Sequence, residues 1–135
     1  MAKTINSLGS RGLHHVALAS KDFDKSLEFY VDGLGLSVFR AWGEPGGRGV
    51  MLDLGAGVNL EIFERPDHTG MDGQILHLAI RVDNCRAAHA ACLEAGAGEQ
   101  TAPKDLDIPS HPPYPVTISF VRGPDGEEIE LFEER

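Results

Sequence analysis

The sequence predicts an α+β fold made of two similar halves, each a strand, a helix and then up to three further strands. Two observations carry this. His15-Val16-Ala17-Leu18 recurs as His77-Leu78-Ala79-Ile80, and each copy is followed at once by an acidic or amide cap and a helical pattern. Each half then closes on a similar strand, Leu60-Glu61-Ile62-Phe63-Glu64 in the first and Ile129-Glu130-Leu131-Phe132-Glu133 in the second. Length sets the scale: 135 residues, 41% apolar and 24% charged, suit one globular domain. A half of about 55 residues is marginal alone and gains a shared core and cleft by packing on the other. The expected layout is a single domain over 1–135, with module one at 13–65, a connector at 66–75 and module two at 76–135.

Residues 1–12 read as a polar lead-in. The segment 13–20 alternates as a strand, with His14, Val16 and Leu18 on one face and His15, Ala17 and Ala19 on the other. Asp22 or Asp24 caps a helix whose apolar positions Phe23, Leu27, Tyr30, Val31 and Leu34 recur at helical spacing, and Gly33 and Gly35 end it. Strands follow at Ser37–Trp42, 50–54 and 58–63, separated by glycine-rich turns at 43–49 and at Gly55-Ala56-Gly57.

After the turn-rich connector the pattern restarts with a strand at 76–82. Asp83 or Asn84 caps a helix through Ala87, Ala88, Ala91, Cys92 and Ala95, closed by Gly96. A proline-rich loop is expected over 102–115, then strands at 116–122 and 127–133 joined by the turn Gly123-Pro124-Asp125-Gly126. Cys85 and Cys92 sit two helical turns apart, roughly 10 Å, beyond the reach of a disulfide at about 7 Å. They are expected as free thiols, which suits a cytoplasmic location.

Composition narrows the partners. With 21 acidic against 12 basic residues the net charge is −9, and no basic stripe interrupts it, which argues against nucleic acid or an anionic membrane. No apolar stretch is long enough to span a bilayer, and the first residues lack the apolar region of a secretory signal.

The chemistry concentrates where the repeat does. Each half carries a His early in its first strand and a Glu in its last: His15, Glu61, His77 and Glu130. Strand parity puts Glu61 with Asn59 and Phe63, and Glu130 with Glu128 and Phe132. The opposite faces carry Val16, Leu18, Val58, Leu60 and Ile62, then Leu76, Leu78, Ile80, Ile129 and Leu131, a core-facing set. One strand histidine alone is more often packing, and a Glu in an acidic strand is usually solvated. Four donors recurring in register argue for a divalent metal bound by nitrogen and oxygen, with open positions for water or substrate. His14 reads as packing, His89 as a helix-surface residue, and Glu64, Glu133 and Glu134 as rim charge. His68 and His111 lie in loops, where either could cover a site.

These residues bring the chain to a known family. His15-Val16-Ala17-Leu18 before Asp22, the Phe29-Tyr30 to Gly33-Leu34-Gly35-Leu36 run, Leu76-His77-Leu78-Ala79-Ile80, and Gly123 through Leu131 resemble the vicinal oxygen chelate superfamily, the glyoxalase, bleomycin-resistance and extradiol-dioxygenase proteins. The resemblance covers about 13–133. It implies two βαβββ modules forming a curled mixed sheet around a metal cleft, and a dimer.

The His/Glu/His/Glu pattern is most similar to bacterial glyoxalase I, the lactoylglutathione lyases. It implies one divalent ion, Zn or Ni first, with Co, Mn or Fe as alternatives, on His15, Glu61, His77 and Glu130. Methylmalonyl-CoA epimerases are similar but usually carry Gln where Glu61 stands. Bleomycin-binding members lack the ligands. The glyoxalase pattern also has an Arg and an Asn holding glutathione, where this chain has Ala19 and Arg65. Arg81 stands at the pseudo-equivalent place in the second half, either for an anionic group on another substrate or as a rim salt bridge.

The expected activity is thus a metal-dependent lyase or isomerase acting on a small molecule that chelates through neighbouring oxygens. Glu130 is the first choice of base and Glu61 the second, with Phe63 and Phe132 flanking them to exclude water or simply packing. A non-catalytic binder, or a thiol transferase of fosfomycin-resistance type, is the alternative on the same fold. The transferase would need a cationic subsite, for which Arg40, Arg48, Arg65, Arg81 and Arg122 are the candidates.

Overall fold

The structure, a computed structural model, describes residues 6–69, 73–123 and 126–135. Part of the expected lead-in, the middle of the connector and the Pro124-Asp125 centre of the last turn lie outside the described residues. The order is β1 (Ser10–Ser20), α1 (Phe23–Leu27) running into a π-helical turn (Glu28–Gly33), β2 (Ser37–Trp42), β3 (Gly49–Gly55), β4 (Val58–Glu64), β5 (Ile75–Val82), α2 (Cys85–Glu94), β6 (Gly98–Ile108), β7 (Tyr114–Arg122) and β8 (Glu128–Glu134). The fold is α+β, with strand, helix and three strands occurring twice.

The chain divides into two compact units. One holds His15–Leu76 with Ile108–Tyr114. Its strands run in the order β2-β3-β4-β1, with β1 parallel to β4 and β3 antiparallel to both of its neighbours. Asp22 caps α1 by accepting from the Lys25 amide. Phe23 packs on Val50, Leu52 and Ile62, with Leu27, Tyr30, Val31 and Leu60 against them. The π-helical turn differs from the simple helix expected. Its wider spacing rotates position 34 off the buried stripe, and Leu34 is 58% exposed.

The other unit holds the described part of Met1–His14, with His77–Asp107 and Pro115–Arg135. Its strands run β5-β8-β7-β6, with β5 parallel to β8 and β7 antiparallel to β8. Asn84 is the cap of α2, accepting from the Ala87 amide. Val82, Cys85, Ala88 and Leu131 form its core. Cys85 is buried, Cys92 is half-buried, and both are free.

Three expectations need correction. Much of the expected proline-rich loop is strand: β6 reaches Ile108 and contains Pro103. As the last strand in its sheet it leaves one edge unpaired, so a residue without an N–H is tolerated there. The buried stripe of α2 is Cys85, Ala88 and His89, so His89 does not lie on the helix surface as expected. Alanine carries too little hydrophobic contrast to fix the phase of a helix. Finally, only part of the expected core face is covered. Ile62 and Leu131 are buried and Leu60, Ile80 and Ile129 pack beside them, but Leu78 is 43% exposed. A ten-residue helix, about 15 Å long, cannot roof four strands. No helix among the described residues is long and apolar enough to cross a membrane.

Candidate functional site

In the first unit the parallel pairing sets Ala17 opposite Glu61. His15 lies two residues earlier on the same face, and the small side chains of Ala17 and Ala19 leave room above the sheet. The result is His15 Nε2 at 3.1 Å from Glu61 Oε1, with side chains 1% and 6% exposed. On the other side of Glu61, β3 sets the fully buried Met51 opposite it.

The second unit repeats the construction. Ala79 stands opposite Glu130 and His77 lies two residues earlier. His77 Nε2 is 3.1 Å from Glu130 Oε1, with side chains 9% and 6% exposed. Phe120, opposite Glu130 on β7, meets the His77 ring in a T-shaped contact with centroids 5.3 Å apart. Each pair thus presents one nitrogen and one oxygen donor from a desolvated setting, where a carboxylate needs a counter-charge.

The flanking residues divide. Phe63 is half-buried, with Trp42 edge-on at 6.1 Å and Arg65 over its ring at 5.0 Å. Phe132 is buried and stacks on His14 at 3.9 Å. His14 packs as expected and also lies 3.8 Å from Glu134. Arg81 pairs with Glu134, the rim salt bridge. His68 bonds to the Gly73 carbonyl at 2.8 Å. His111 and Pro109 line a cavity of ≈ 670 Å³ beside Phe23 and Trp42, and neither His15 nor Glu61 lines it.

Three readings of charge and histidine are corrected. Glu64 is not rim charge. It accepts from the Arg48 guanidinium at 2.9 and 3.0 Å and from the amides of Gly46 and Arg48. Those bonds, the guanidinium's first, hold its carboxyl down at about 2. Glu133 accepts from the Cys85 amide at the start of α2. His89 is no surface residue: it is 4% exposed, 2.9 Å from Ser119 Oγ and 2.7 Å from Glu99. Burial pushes the neighbouring Cys85 thiol up. Sequence reasoning missed Met51 and Phe120 altogether, because cross-strand neighbours follow from register rather than from spacing along the chain.

Residues 12–131 match the family described as Glyoxalase/Bleomycin resistance protein/Dioxygenase superfamily. A probable lactoylglutathione lyase of Synechocystis sp. is 28% identical over 128 residues, spanning 90% of this chain and 94% of that protein. The lactoylglutathione lyase of Escherichia coli O157:H7 is 28% identical over 130 residues, 91% and 93% of the two chains. Among solved structures, methylmalonyl-CoA epimerase from Mycobacterium tuberculosis superposes with a TM-score of 0.75 at 23% identity, covering 100% of this chain and 93% of that one. Hypothetical protein BH1468 from Bacillus halodurans C-125 does so with 0.72 at 18% identity, covering 91% and 94%. At these identities the structures share the fold.

Proposed function

The chain belongs to the glyoxalase/bleomycin resistance protein/dioxygenase superfamily, and from that premise we propose that it is a metal-dependent lyase or isomerase of glyoxalase I type. The observation that carries the reading is the duplicated donor pair, a desolvated imidazole 3.1 Å from a buried carboxylate in the same strand register in both units. His15, Glu61, His77 and Glu130 offer one ligand atom each. They would hold one divalent ion, zinc or nickel first, with cobalt, manganese or iron suited to the same donors. The donor set fits such an ion: two desolvated carboxylates supply negative charge, and two neutral imidazoles supply nitrogen. When bound, the ion supplies Lewis acidity that polarises a carbonyl and acidifies the adjacent C–H.

The chain's own residues perform the proton transfer. Glu130 would take the C–H proton from the hydroxyl-bearing carbon beside the carbonyl and return it to the carbonyl carbon, while the hydroxyl proton passes to the former carbonyl oxygen, so that hydroxyl and carbonyl exchange places. Glu61, its counterpart in the first unit, is the second choice. Phe63 and Phe132, two residues beyond the two carboxylates, exclude water. The substrate is a small molecule with two neighbouring oxygens, and the protein works as a cytoplasmic homodimer.

Metal analysis of the purified protein tests the reading. Wild type carries close to one divalent ion per chain, His77→Ala loses most of it, and Leu13→Ala keeps it. Equal metal content in wild type and a His15→Ala/His77→Ala double variant would overturn the proposal.

A further inference from the structure

Four of the five candidate arginines are engaged or exposed. Arg48 binds Glu64 and Asp24, Arg81 binds Glu134, Arg122 donates to the Gly126 carbonyl, and Arg65 lies exposed over Phe63. Arg40 is different. A bulge at Phe39 breaks the β2–β3 register, after which Arg40 stands opposite Met51, and Met51 stands opposite Glu61. Arg40 therefore shares a sheet face with Glu61, two strand spacings away, roughly 10 Å between backbones. Trp42, two residues on, confirms the face by meeting Phe63.

A bulge sets two residues of one strand against one of its partner and re-aims their side chains. Here the guanidinium carbon lies 4.4 Å from the Phe39 ring centroid and 5.2 Å from that of Tyr114. Nη1 donates to the Phe39 carbonyl at 2.9 Å. Nε is buried and has no hydrogen-bond partner, and Nη2 makes none among the described residues. Nε–H and Nη2–H lie along one edge of the guanidinium, the planar two-donor fork that fits a carboxylate. A buried donor without a partner points to an absent acceptor, and the two flanking aromatic rings favour a flat one.

We infer that Arg40 binds a carboxylate of the substrate, which makes that substrate a small acid carrying two neighbouring oxygens at one end and a second carboxylate at the other. The inference rests on the metal-centred reading above.

The test compares 2-oxoadipate with 2-oxohexanoate, acids of equal chain length that differ in a terminal carboxylate against a methyl. Both are titrated calorimetrically into zinc-loaded and zinc-free protein. In the zinc-loaded wild type the diacid binds tighter by roughly tenfold to a hundredfold, the range for a hydrogen bond to a charged group. Arg40→Gln abolishes that preference and leaves the affinity for 2-oxohexanoate unchanged. Arg40→Lys, with charge but no fork, restores only part of it, and Arg11→Gln, at a surface pair with Asp83, keeps it whole. In heteronuclear NMR of the wild type, the Arg40 Nε–H signal moves on adding the diacid and stays still with the monoacid.

An undiminished preference in Arg40→Gln, or a still Nε–H signal at saturating diacid, overturns the inference. Tighter binding of the phosphonate analogue of 2-oxoadipate overturns the carboxylate class. Zinc-dependent binding of both acids without preference sinks the Arg40 assignment and spares the metal reading. Equal binding of both acids to zinc-free and zinc-loaded protein sinks the metal reading instead.

Discussion

Glu61 and Glu130 occupy the same place in their strands, yet their neighbours differ. Met51 faces the first across the sheet and Phe120 the second. Phe120 also meets His77, which walls the second pair with an aromatic ring and favours Glu130 as base. Glu130→Gln keeps shape and an oxygen donor but cannot take a proton as a carboxylate. We predict that it retains some metal and loses at least about a hundredfold in kcat, the low end of general-base effects. Full activity in Glu130→Gln together with loss in Glu61→Gln would transfer the role to Glu61. A second residue-scale prediction concerns Gly49. A Cβ there would clash with the edge of the Trp42 indole, so Gly49→Ala should destabilise by about 1–3 kcal/mol through overpacking, read as a lower urea midpoint at unchanged slope.

At the scale of elements, the Arg48 guanidinium, on the residue just before β3, ties two others together. It binds Glu64 at the end of β4 and Asp24 in α1, and lies 4.7 Å above the Phe23 ring. Glu64 is held at about 2, below its ordinary 4.5. A depressed folded value means its contribution is complete above about 4.5 and fades as pH falls toward about 2. Urea midpoints of wild type and Glu64→Gln should therefore differ most at neutral pH and converge in acid, and a constant difference across that window would contradict the assignment. The helix caps give a second test. Asn84 accepts from the Ala87 amide at 3.0 Å, so Asn84→Ala should cost about 1 kcal/mol, whereas Asp83→Ala, at a surface pair, should cost far less.

Specificity and assembly belong to the scale of the whole molecule. Ala19 is buried opposite Phe63, and Arg65 reaches over the same ring. Neither reproduces the Arg and Asn that the glyoxalase I resemblance associates with glutathione. Each lost charge-assisted contact is worth about 1.5–3 kcal/mol, so two weaken the transition-state complex by roughly a hundredfold or more. The hemithioacetal of methylglyoxal and glutathione should be a poor substrate, and a kcat/KM of about 10⁶ M⁻¹s⁻¹ or above would refute this. The proposed homodimer predicts a sedimentation mass that falls on dilution or stays at twice the chain mass. A monomer mass independent of concentration would exclude it.

Much of this protein is legible in the order of its residues. The duplicated His-x-Ala strand, the Asp22 and Asn84 caps and the two terminal Glu-bearing strands are local patterns. Period and capping are local physics, so most of the elements and the four candidate donors can be read from the chain alone. The phase of α2 cannot, because alanine scarcely distinguishes a buried face from an exposed one, and His89 was misplaced for that reason. Nor can β6, whose proline is harmless only because the strand lies at a sheet edge. Arg48 against Glu64, Phe120 against His77, and the bulge that turns Arg40 toward the Glu61 face are set by strand register. Register is a cross-strand property that spacing along one strand cannot encode, so tertiary structure alone decides which arginine is bound in an ion pair and which is left with an empty fork.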